Sequence, residues 1–341
     1  MIISSTLIAN NADIVGEAIA SVVDHVDLCV IIDTGSTDNS REIAAAAAGR
    51  KAIIAGFKWN GSFADARNYA LRQAGDILGG RPGWALTVDS DERLKFLPGS
   101  APRHALAQLR QDIGVVLVAH ESGSYTKERF IRLPCRDGSQ WRGPVHEAFC
   151  SDRGQALLAG IQFAEIPKTP DQLTLKMARD LDRLMEWVRK YPEGRWFYYL
   201  AECQAYFGDF PSAMANYKLC YTHSSWDEER AWAAYKMAEA YSRQGEYSLA
   251  HRWCCLGLEK HAGFAELAWL AGWLRYKLGD FKHAVYWARI ARAIAQTEAL
   301  TPFKRIGFRH QPAYQTGPDD VEFWSLYRMG LADSESFAKE P

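Results

Sequence analysis

The sequence predicts an α/β domain containing a parallel sheet, followed by an all-α domain built from helical repeats. Over residues 1–165, short apolar runs alternate with amphipathic helices, the order typical of strand–helix–strand units in a parallel sheet. Over residues 166–330 the strand signals stop, and turn glycines recur about every 35 residues, which indicates helical repeats. We expect residues 331–341 to form a mobile tail.

The elements of the first domain follow from runs of apolar residues that end where polar residues begin. We predict strands at Ile2–Ile8, Leu28–Ile32, Lys51–Ala55, Trp84–Val88, Val115–Ala119 and Arg129–Leu133, with helices at Ile14–Val23, Arg41–Ala48 and Phe63–Leu71. Ligands of open parallel sheets bind beyond the carboxyl ends of the strands. Asn10, Asp33 and Asp89 each follow such an end, so we expect them to face one crevice.

Asp89-Ser90-Asp91 directly follows the fourth strand. Two carboxylates one residue apart suit Mg²⁺ or Mn²⁺, which keep their other positions for water and substrate phosphates. The tripeptide alone is more typical of a strand that ends in a polar turn, and the rest of the N-terminal half favours the metal site. Asp33 could accept a hydrogen bond from a uracil imide or a ribose hydroxyl, or it could cap the following helix. Arg67 offers planar donors to a base carbonyl or a diphosphate.

Three motifs follow one another in the first domain: Asp33–Ser40, Ala64–Asn68 and Val88–Glu92. In this order they resemble the nucleotide-sugar-binding domain of family 2 glycosyltransferases, a Rossmann-like domain known as the GT-A fold, and the resemblance covers about residues 1–150. It implies a nucleotide-sugar donor, UDP-linked in the first instance. It also implies that Asp89 holds the ribose or a metal-bound water and that Asp91 ligates Mn²⁺ or Mg²⁺. Asn10 fits the family pattern, whereas Asn11 stands where the family commonly has an acid, which leaves the nucleotide open.

His146-Glu147 follows Gly143-Pro144, a pair that predicts a constrained turn. Considered without its neighbours, His146 is more typical of a packed or surface histidine than of a ligand. The arrangement resembles an element that closes the catalytic domain in some of these transferases, which implies that His146 joins the metal or the diphosphate. Glu147 is then the catalytic base or orients His146, and Glu121 competes for the role of base.

The resemblance further implies an inverting transfer. In that reaction, the cation and either Arg67 or Arg132 neutralise the departing diphosphate. Arg67 and Arg132 therefore join Asn10, Asp33 and Asp89 as candidate donor-binding residues.

In the second domain, Gly208, Gly245 and Gly279 separate paired helices in the manner of tetratricopeptide repeats. We expect an N-terminal capping helix at Lys176–Tyr191 and a final amphipathic helix at Asp319–Met329. The aromatic run 196–199 is predicted to pack in the core. The segment Phe303–His310 interleaves bases and aromatics, so it could hold phosphate or nucleic acid, or belong to an ordinary terminal helix.

The two-domain order resembles bacterial and phage glycosyltransferases with tetratricopeptide repeats, including peptide S-glycosyltransferases of bacteriocin pathways. Acceptors that fit are a peptide or protein, a surface glycan or its lipid precursor, and hydroxymethylated DNA, although a net charge of −1 argues mildly against DNA. The repeats could also form a homodimer. The alternative to an enzyme is an interaction scaffold whose nucleotide-sugar domain is catalytically silent. A nucleotidyltransferase is disfavoured because a glycine-rich phosphate loop near the first strand is missing.

The seven cysteines show neither zinc spacing nor the pattern of a small disulfide-rich domain. No apolar run approaches membrane-spanning length, and the first residues do not resemble a signal peptide. The sequence therefore predicts a cytoplasmic protein without a membrane span.

Overall fold

The computed structural model describes residues 1–97, 99, 102–120, 123–136, 138–152, 154–300 and 309–333. The chain forms two compact units, Met1–Pro170 and Asp171–Pro341. Glu121 and the tail residues 334–341 lie outside the described residues, as does most of the segment Phe303–His310. Among the helices of the described residues, none is both long and apolar enough to span a bilayer.

The first unit alternates strands and helices. Its strands are β1 Ile2–Ile8, β2 Leu28–Asp33, β3 Ala52–Gly56, β4 Gly83–Thr87, β5 Glu92–Phe96, β6 Ile113–His120, β7 Gly123–Leu133, β8 Gln140–Arg142, β9 Ala148–Cys150 and β10 Gln155–Glu165. Its helices are α1 Val15–Val23, α2 Ser40–Ala48, α3 Phe63–Leu78 and α4 Pro102–Gln108. Eight strands form one sheet in the order β3-β2-β1-β4-β7-β6-β10-β5, and β8 pairs with β9.

The first four strands of that order are parallel, as the sequence predicts. Apolar side chains cover both faces of this half. On one face Leu86 packs with Ile19 and Val22 of α1, and on the other Ile3 packs with Ala70 of α3. The small residues of α3 let the helix approach the sheet closely. The carboxyl ends of β1, β2 and β4 consequently meet at one edge.

The other half of the sheet is mixed and curled, and it adds antiparallel strands to the predicted parallel part. β7 runs antiparallel to both β4 and β6, and β5 closes the far edge against β10. Only four residues separate β4 from β5, yet the strands stand four places apart. Four strand spacings measure about 19 Å in a flat sheet, and five residue steps reach at most about 18 Å. The sheet therefore curls, and the acidic run at 89–91 crosses its open end.

The second unit is wholly helical in its described residues. Its helices are α5 Pro170–Lys190, α6 Gly194–Tyr206, α7 Phe210–His223, α8 Asp227–Arg243, α9 Tyr247–Lys260, α10 Ala265–Lys277, α11 Phe281–Leu300 and α12 Gly317–Arg328. Three hairpins, α6–α7, α8–α9 and α10–α11, turn at Gly208, Gly245 and Gly279, where φ is +80°, +77° and +75°. Only glycine adopts these angles without strain, which explains the period seen in the sequence.

The flanking elements of this unit also follow the sequence. α5 precedes the first hairpin and α12 follows the last, close to the predicted capping and final helices. Trp196, Phe197 and Tyr198 are buried in α6, so the aromatic run belongs to the packing of the repeats.

Substituting Gly194 with alanine should destabilise the helical unit. A Cβ at Gly194 would lie 2.4 Å from Ser224 Cα and 2.5 Å from Ser224 N, and this backbone cannot yield as a flexible side chain would. Overpacking of this kind costs about 1–3 kcal/mol. We expect a lower midpoint in thermal denaturation followed by circular dichroism. The control is Gly75→Ala within α3, where a Cβ meets no atom within 4 Å and a small gain in stability is expected. Equal midpoints for both variants would contradict the packing argument.

Candidate active site

The candidate site lies at the carboxyl edge of β2, β1 and β4. Asp33 ends β2, Asn10 follows β1, and Asp89 follows β4. Since β1 pairs with both other strands in parallel, the three ends are adjacent, as the sequence predicts.

Asn10 and Asp33 shape the loop after β2. Asn10 has a left-handed backbone, with φ +52°, and its Oδ1 accepts hydrogen bonds from Thr37 N at 2.7 Å and Thr37 Oγ1 at 3.1 Å. Asp33 Oδ1 accepts from Gly35 N at 3.0 Å and Ser36 N at 2.8 Å. Burial raises the pKa of Asp33, but these N–H groups, together with Ser36 and Arg41, leave the pKa below its usual value.

Asn11 carries an unsatisfied polar atom in this loop region. Its backbone N–H donates to Ser40 Oγ at 2.8 Å, while its side-chain Oδ1 is buried and has no hydrogen-bond partner. A buried acceptor without a donor is costly, so it marks a position where a ligand donor would be favourable.

Arg67 is the centre of the site. Ser62 caps α3 through its side chain, and Arg67 stands on the inward face of that helix between Ala64 and Ala70. Its guanidinium is nearly buried; Nη2 donates to Asp89 Oδ1 at 2.7 Å and Nε donates to Glu147 Oε1. Arg67 thus joins the acid after β4 to the acid of the 143–147 turn.

Asn68 explains how that turn reaches α3. Its Nδ2 donates to Trp141 O at 2.9 Å, and its Oδ1 accepts from Trp141 N at 2.9 Å. This reciprocal pair docks β8 on α3, and the Arg67 guanidinium lies 5.4 Å from the centre of the Trp141 ring. The Ala64–Asn68 motif therefore both supplies a cation and fastens the segment that carries Glu147.

A second group of cations approaches Asp89 from β7. Asp89 Oδ2 accepts from Arg129 Nη2 at 3.0 Å and from Lys127 Nζ at 3.2 Å. Pairing with β6 passes from Phe130 to Glu128 and skips Arg129, a β-bulge. Arg129 is therefore left out of the pairing with β6, and its guanidinium also pairs with buried Glu92.

The cations keep the acids of the site ionised. Burial raises the pKa of Asp89, but Arg67, Arg129 and Lys127 outweigh it and hold the pKa well below its usual value. Burial and the neighbouring Asp89 raise the pKa of Glu147, but Arg67 and a backbone hydrogen bond lower it further and leave the pKa below its usual value. For Lys127, burial lowers the pKa, while Glu92 and Asp89 raise it well above the ordinary value.

Asp91 differs from Asp89 in its exposure and its partner. Its side chain is 30% exposed, and its Oδ2 accepts from Lys168 Nζ at 2.7 Å. Arg93 fixes the turn that presents both acids, because its Nη1 donates to Ser90 O at 2.9 Å and its Nη2 donates to Ile14 O at 2.8 Å.

His146 also has a left-handed backbone, with φ +50°, which is uncommon outside glycine and is found at functional turns. It adjoins Glu147 and is therefore linked through Arg67 to Asp89. Within the described ranges, no three His, Cys, Asp or Glu side chains are grouped so as to hold a metal ion by themselves.

Arg132 is not brought to this edge. It pairs with Trp84 near the start of β4, at the opposite end of the strand from Asp89, and its guanidinium lies 4.2 Å from the Trp84 ring centre. Its Nη2 donates to Leu109 O at 2.6 Å. The proposed donor contact of Arg132 is therefore wrong on geometric grounds. Arg129 and Lys127, which sequence reasoning missed, are the β7 cations at the site.

The comparison with known families agrees with this arrangement. Residues 6–130 match the model of glycosyl transferase family 2. This region is a family 2 glycosyltransferase domain. The expected Rossmann-like GT-A resemblance is confirmed at the level of the family, and the matched stretch includes Asn10, Asp33, Arg67, Asp89 and Asp91.

The helical part of the prediction is confirmed as well. A TPR repeat-containing protein of Synechococcus elongatus is 34% identical over 144 residues, which is 41% of this chain and 33% of the relative. The chain thus spans about a third of the length of that curated relative.

Solved structures that resemble the chain include the TPR2B domain of yeast Sti1 in complex with pHsp70, at 13% identity and a TM-score of 0.31, covering 38% of this chain and 91% of that one. MamA AMB-1 has 13% identity and a TM-score of 0.34, covering 46% of this chain and 81% of that one.

Proposed function

We propose that the chain transfers a sugar from a nucleotide-sugar, in the first instance a UDP-sugar, to an acceptor. The observation that carries this proposal is the bridge that Arg67 makes between Asp89 and Glu147 at the carboxyl edge of the sheet. A family 2 glycosyltransferase domain with these acids and cations assembled is better explained by turnover than by a silent scaffold.

The loop residues suit the nucleoside part of the donor. Asp33 is ionised and half-buried at the end of β2, and the unsatisfied Asn11 Oδ1 offers a neutral acceptor after the adjacent strand β1. The Asp33 carboxylate and Asn11 Oδ1 could each accept a hydrogen bond from a base imide N–H or a ribose hydroxyl. Asn10 acts by holding the loop, since its Oδ1 is occupied by Thr37.

Asp91 and His146 are the proposed metal ligands. Mg²⁺ and Mn²⁺ bind through one or two carboxylates and complete their coordination with substrate phosphates and water, so a site without three grouped ligands fits them. Asp91 keeps part of its carboxylate open to solvent, whereas Asp89 is enclosed by three cations. When bound, the cation would stabilise negative charge on the departing diphosphate.

Glu147 is the proposed base of an inverting transfer. It is ionised, because Arg67 holds its pKa below the usual value, and it lies next to the proposed metal ligand His146. Accepting a proton from the acceptor as the sugar bond forms requires a carboxylate on the opposite face of the sugar from the leaving group.

A peptide or protein is the proposed acceptor, since stacked helical hairpins such as α6–α11 build extended surfaces suited to chains. Surface glycans and hydroxymethylated DNA are competing acceptors. Offering each class with the same donor would separate them by the product formed.

Removing the Asp91 carboxylate tests the proposal. We expect the chain to release UDP from a UDP-sugar in the presence of Mn²⁺, slowly without acceptor, and Asp91→Asn to lose about 10²-fold in rate or more. A coupled assay for free UDP measures this across a panel of UDP- and GDP-sugars.

The matched control is Asp76→Asn, an exposed acid on α3, which should leave the rate unchanged. The proposal would be refuted if, with Mn²⁺ present, no donor in the panel were turned over and none raised the melting temperature of the chain. That result would favour an interaction scaffold.

A further inference from the structure

Lys168 lies near the end of the first unit, Met1–Pro170, here called the glycosyltransferase unit, and it covers Asp91 of the site. Its ammonium lies 2.7 Å from Asp91 Oδ2 and also donates to Glu165 Oε1, so one lysine is shared between two acids. Ile166 N donates to Asp91 O at 2.7 Å, so the 165–168 segment is attached to Asp91 through backbone as well as side chain. Lys168 is about three-quarters buried.

This arrangement places a protein cation on the carboxylate proposed to ligate the metal. A divalent ion binds a carboxylate oxygen at about 2.0–2.2 Å, closer than an ammonium does. A divalent metal ion and the Lys168 ammonium would repel each other strongly if both contacted Asp91 Oδ2. The ammonium must therefore leave that oxygen, or the metal is held more weakly than Asp91 alone would hold it.

Glu165 is a second carboxylate that can pair with the Lys168 ammonium when it leaves Asp91. Glu165 lies at the end of β10, and its other oxygen accepts from Tyr125 OH at 2.8 Å, which fixes its position independently of Asp91. The flexible stem of a lysine allows its ammonium to shift between neighbouring acids at little cost.

We propose that Lys168 is a built-in counter-ion for Asp91 that a divalent cation displaces onto Glu165 when the metal site fills. The inference rests on the proposed function, because it takes Asp91 as a metal ligand. It explains how the acids around β4 and β5 remain neutralised before a metal and a donor arrive. It also makes the strength of metal binding depend on a residue just before α5.

Binding of Mn²⁺ alone to the full chain, followed through the free-ion signal in electron paramagnetic resonance, tests this without any catalytic readout. Lys168→Met should bind Mn²⁺ about tenfold more tightly than the unaltered chain, because the repulsion from the ammonium is removed. Lys168→Arg keeps the charge and should bind no more tightly than the unaltered chain. Lys58→Met, an exposed lysine of the same unit, is the matched control and should change nothing.

Asp91→Asn separates this inference from the proposed function. If Asp91→Asn abolishes Mn²⁺ binding while Lys168→Met leaves it unchanged or weakens it, the counter-ion role is wrong and the metal site stands. If Asp91→Asn leaves Mn²⁺ binding intact, or no form of the chain binds Mn²⁺ either alone or with UDP added, both the metal assignment and the counter-ion role fail. Thermal melts of each variant identify any loss of folding, and Lys168→Arg then still reports whether the charge governs affinity.

Discussion

Replacing Arg67 with methionine should reduce sugar transfer by about 10²–10³-fold. The side chain is buried and bridges Asp89 and Glu147, so its loss removes the positive charge between the two acids. Asp89 retains Arg129 and Lys127, but Glu147 loses the partner that holds its pKa down. Steady-state rates with a UDP-sugar and acceptor, at several pH values, measure the effect.

The pH dependence identifies what Arg67 does for Glu147. In the unaltered chain the lowered pKa keeps Glu147 ionised across neutral pH. In Arg67→Met, burial acts without the opposing charge, the pKa rises, and the acid limb of the rate profile should move to higher pH. An unmoved acid limb would show that Glu147 is not the base.

Stability should change with the opposite pH dependence to activity. A buried carboxylate left without its partner costs about 3–5 kcal/mol while it is ionised. Because the pKa of Glu147 in folded Arg67→Met lies above its unfolded value, stability is greater at low pH and is lost as pH rises through the folded pKa. Arg72→Met, an exposed arginine on α3, is the control and should alter neither rate nor midpoint. A pH-independent loss of stability would contradict this explanation.

The sequence predicts those parts of the site that depend on local order along the chain. Asn10, Asp33 and Asp89 follow parallel strands, so their meeting at one edge follows from strand order alone. The turn glycines of the repeats are similarly local, because each needs a positive φ in its own turn.

The parts of the site that the sequence could not predict depend on the pairing of strands that are distant along the chain. Arg129 reaches Asp89 from a bulge in the pairing of β7 with β6, and Arg132, three residues on, falls at the other end of β4. β5 and β10 carry charged and half-exposed residues, so their apolar pattern is weak, and their pairing curls the sheet. Lys168 could have been found only from that pairing, which brings the end of β10 to Asp91.

The buried pair of Glu92 and Arg129 should be the strongest electrostatic determinant of stability in the glycosyltransferase unit. Both side chains are only 1% exposed. Arg129→Met leaves the buried Glu92 carboxylate without its closest cation, so that among the described residues the Lys127 ammonium, 3.2 Å from Glu92 Oε1, remains to balance it. We expect a loss of about 3–5 kcal/mol, and a lower midpoint in urea denaturation measures it. Lys95→Met, an exposed lysine on β5, is the control.

Removing both charges together should restore most of that stability. A buried ion pair replaced by apolar residues of similar volume is often neutral in stability, because neither charge then needs desolvation. Glu92→Leu with Arg129→Met should therefore be more stable than Arg129→Met alone, giving a coupling of about 1–3 kcal/mol in the double-mutant cycle.

Activity should not return with stability in the double variant. Arg129 also donates to Asp89 Oδ2 at 3.0 Å, and that support is missing whichever residue replaces Glu92. We expect the rate to stay roughly tenfold below that of the unaltered chain. Full recovery of both properties would mean that Arg129 serves only to neutralise Glu92, and that Lys127 and Arg67 suffice to hold Asp89 in place.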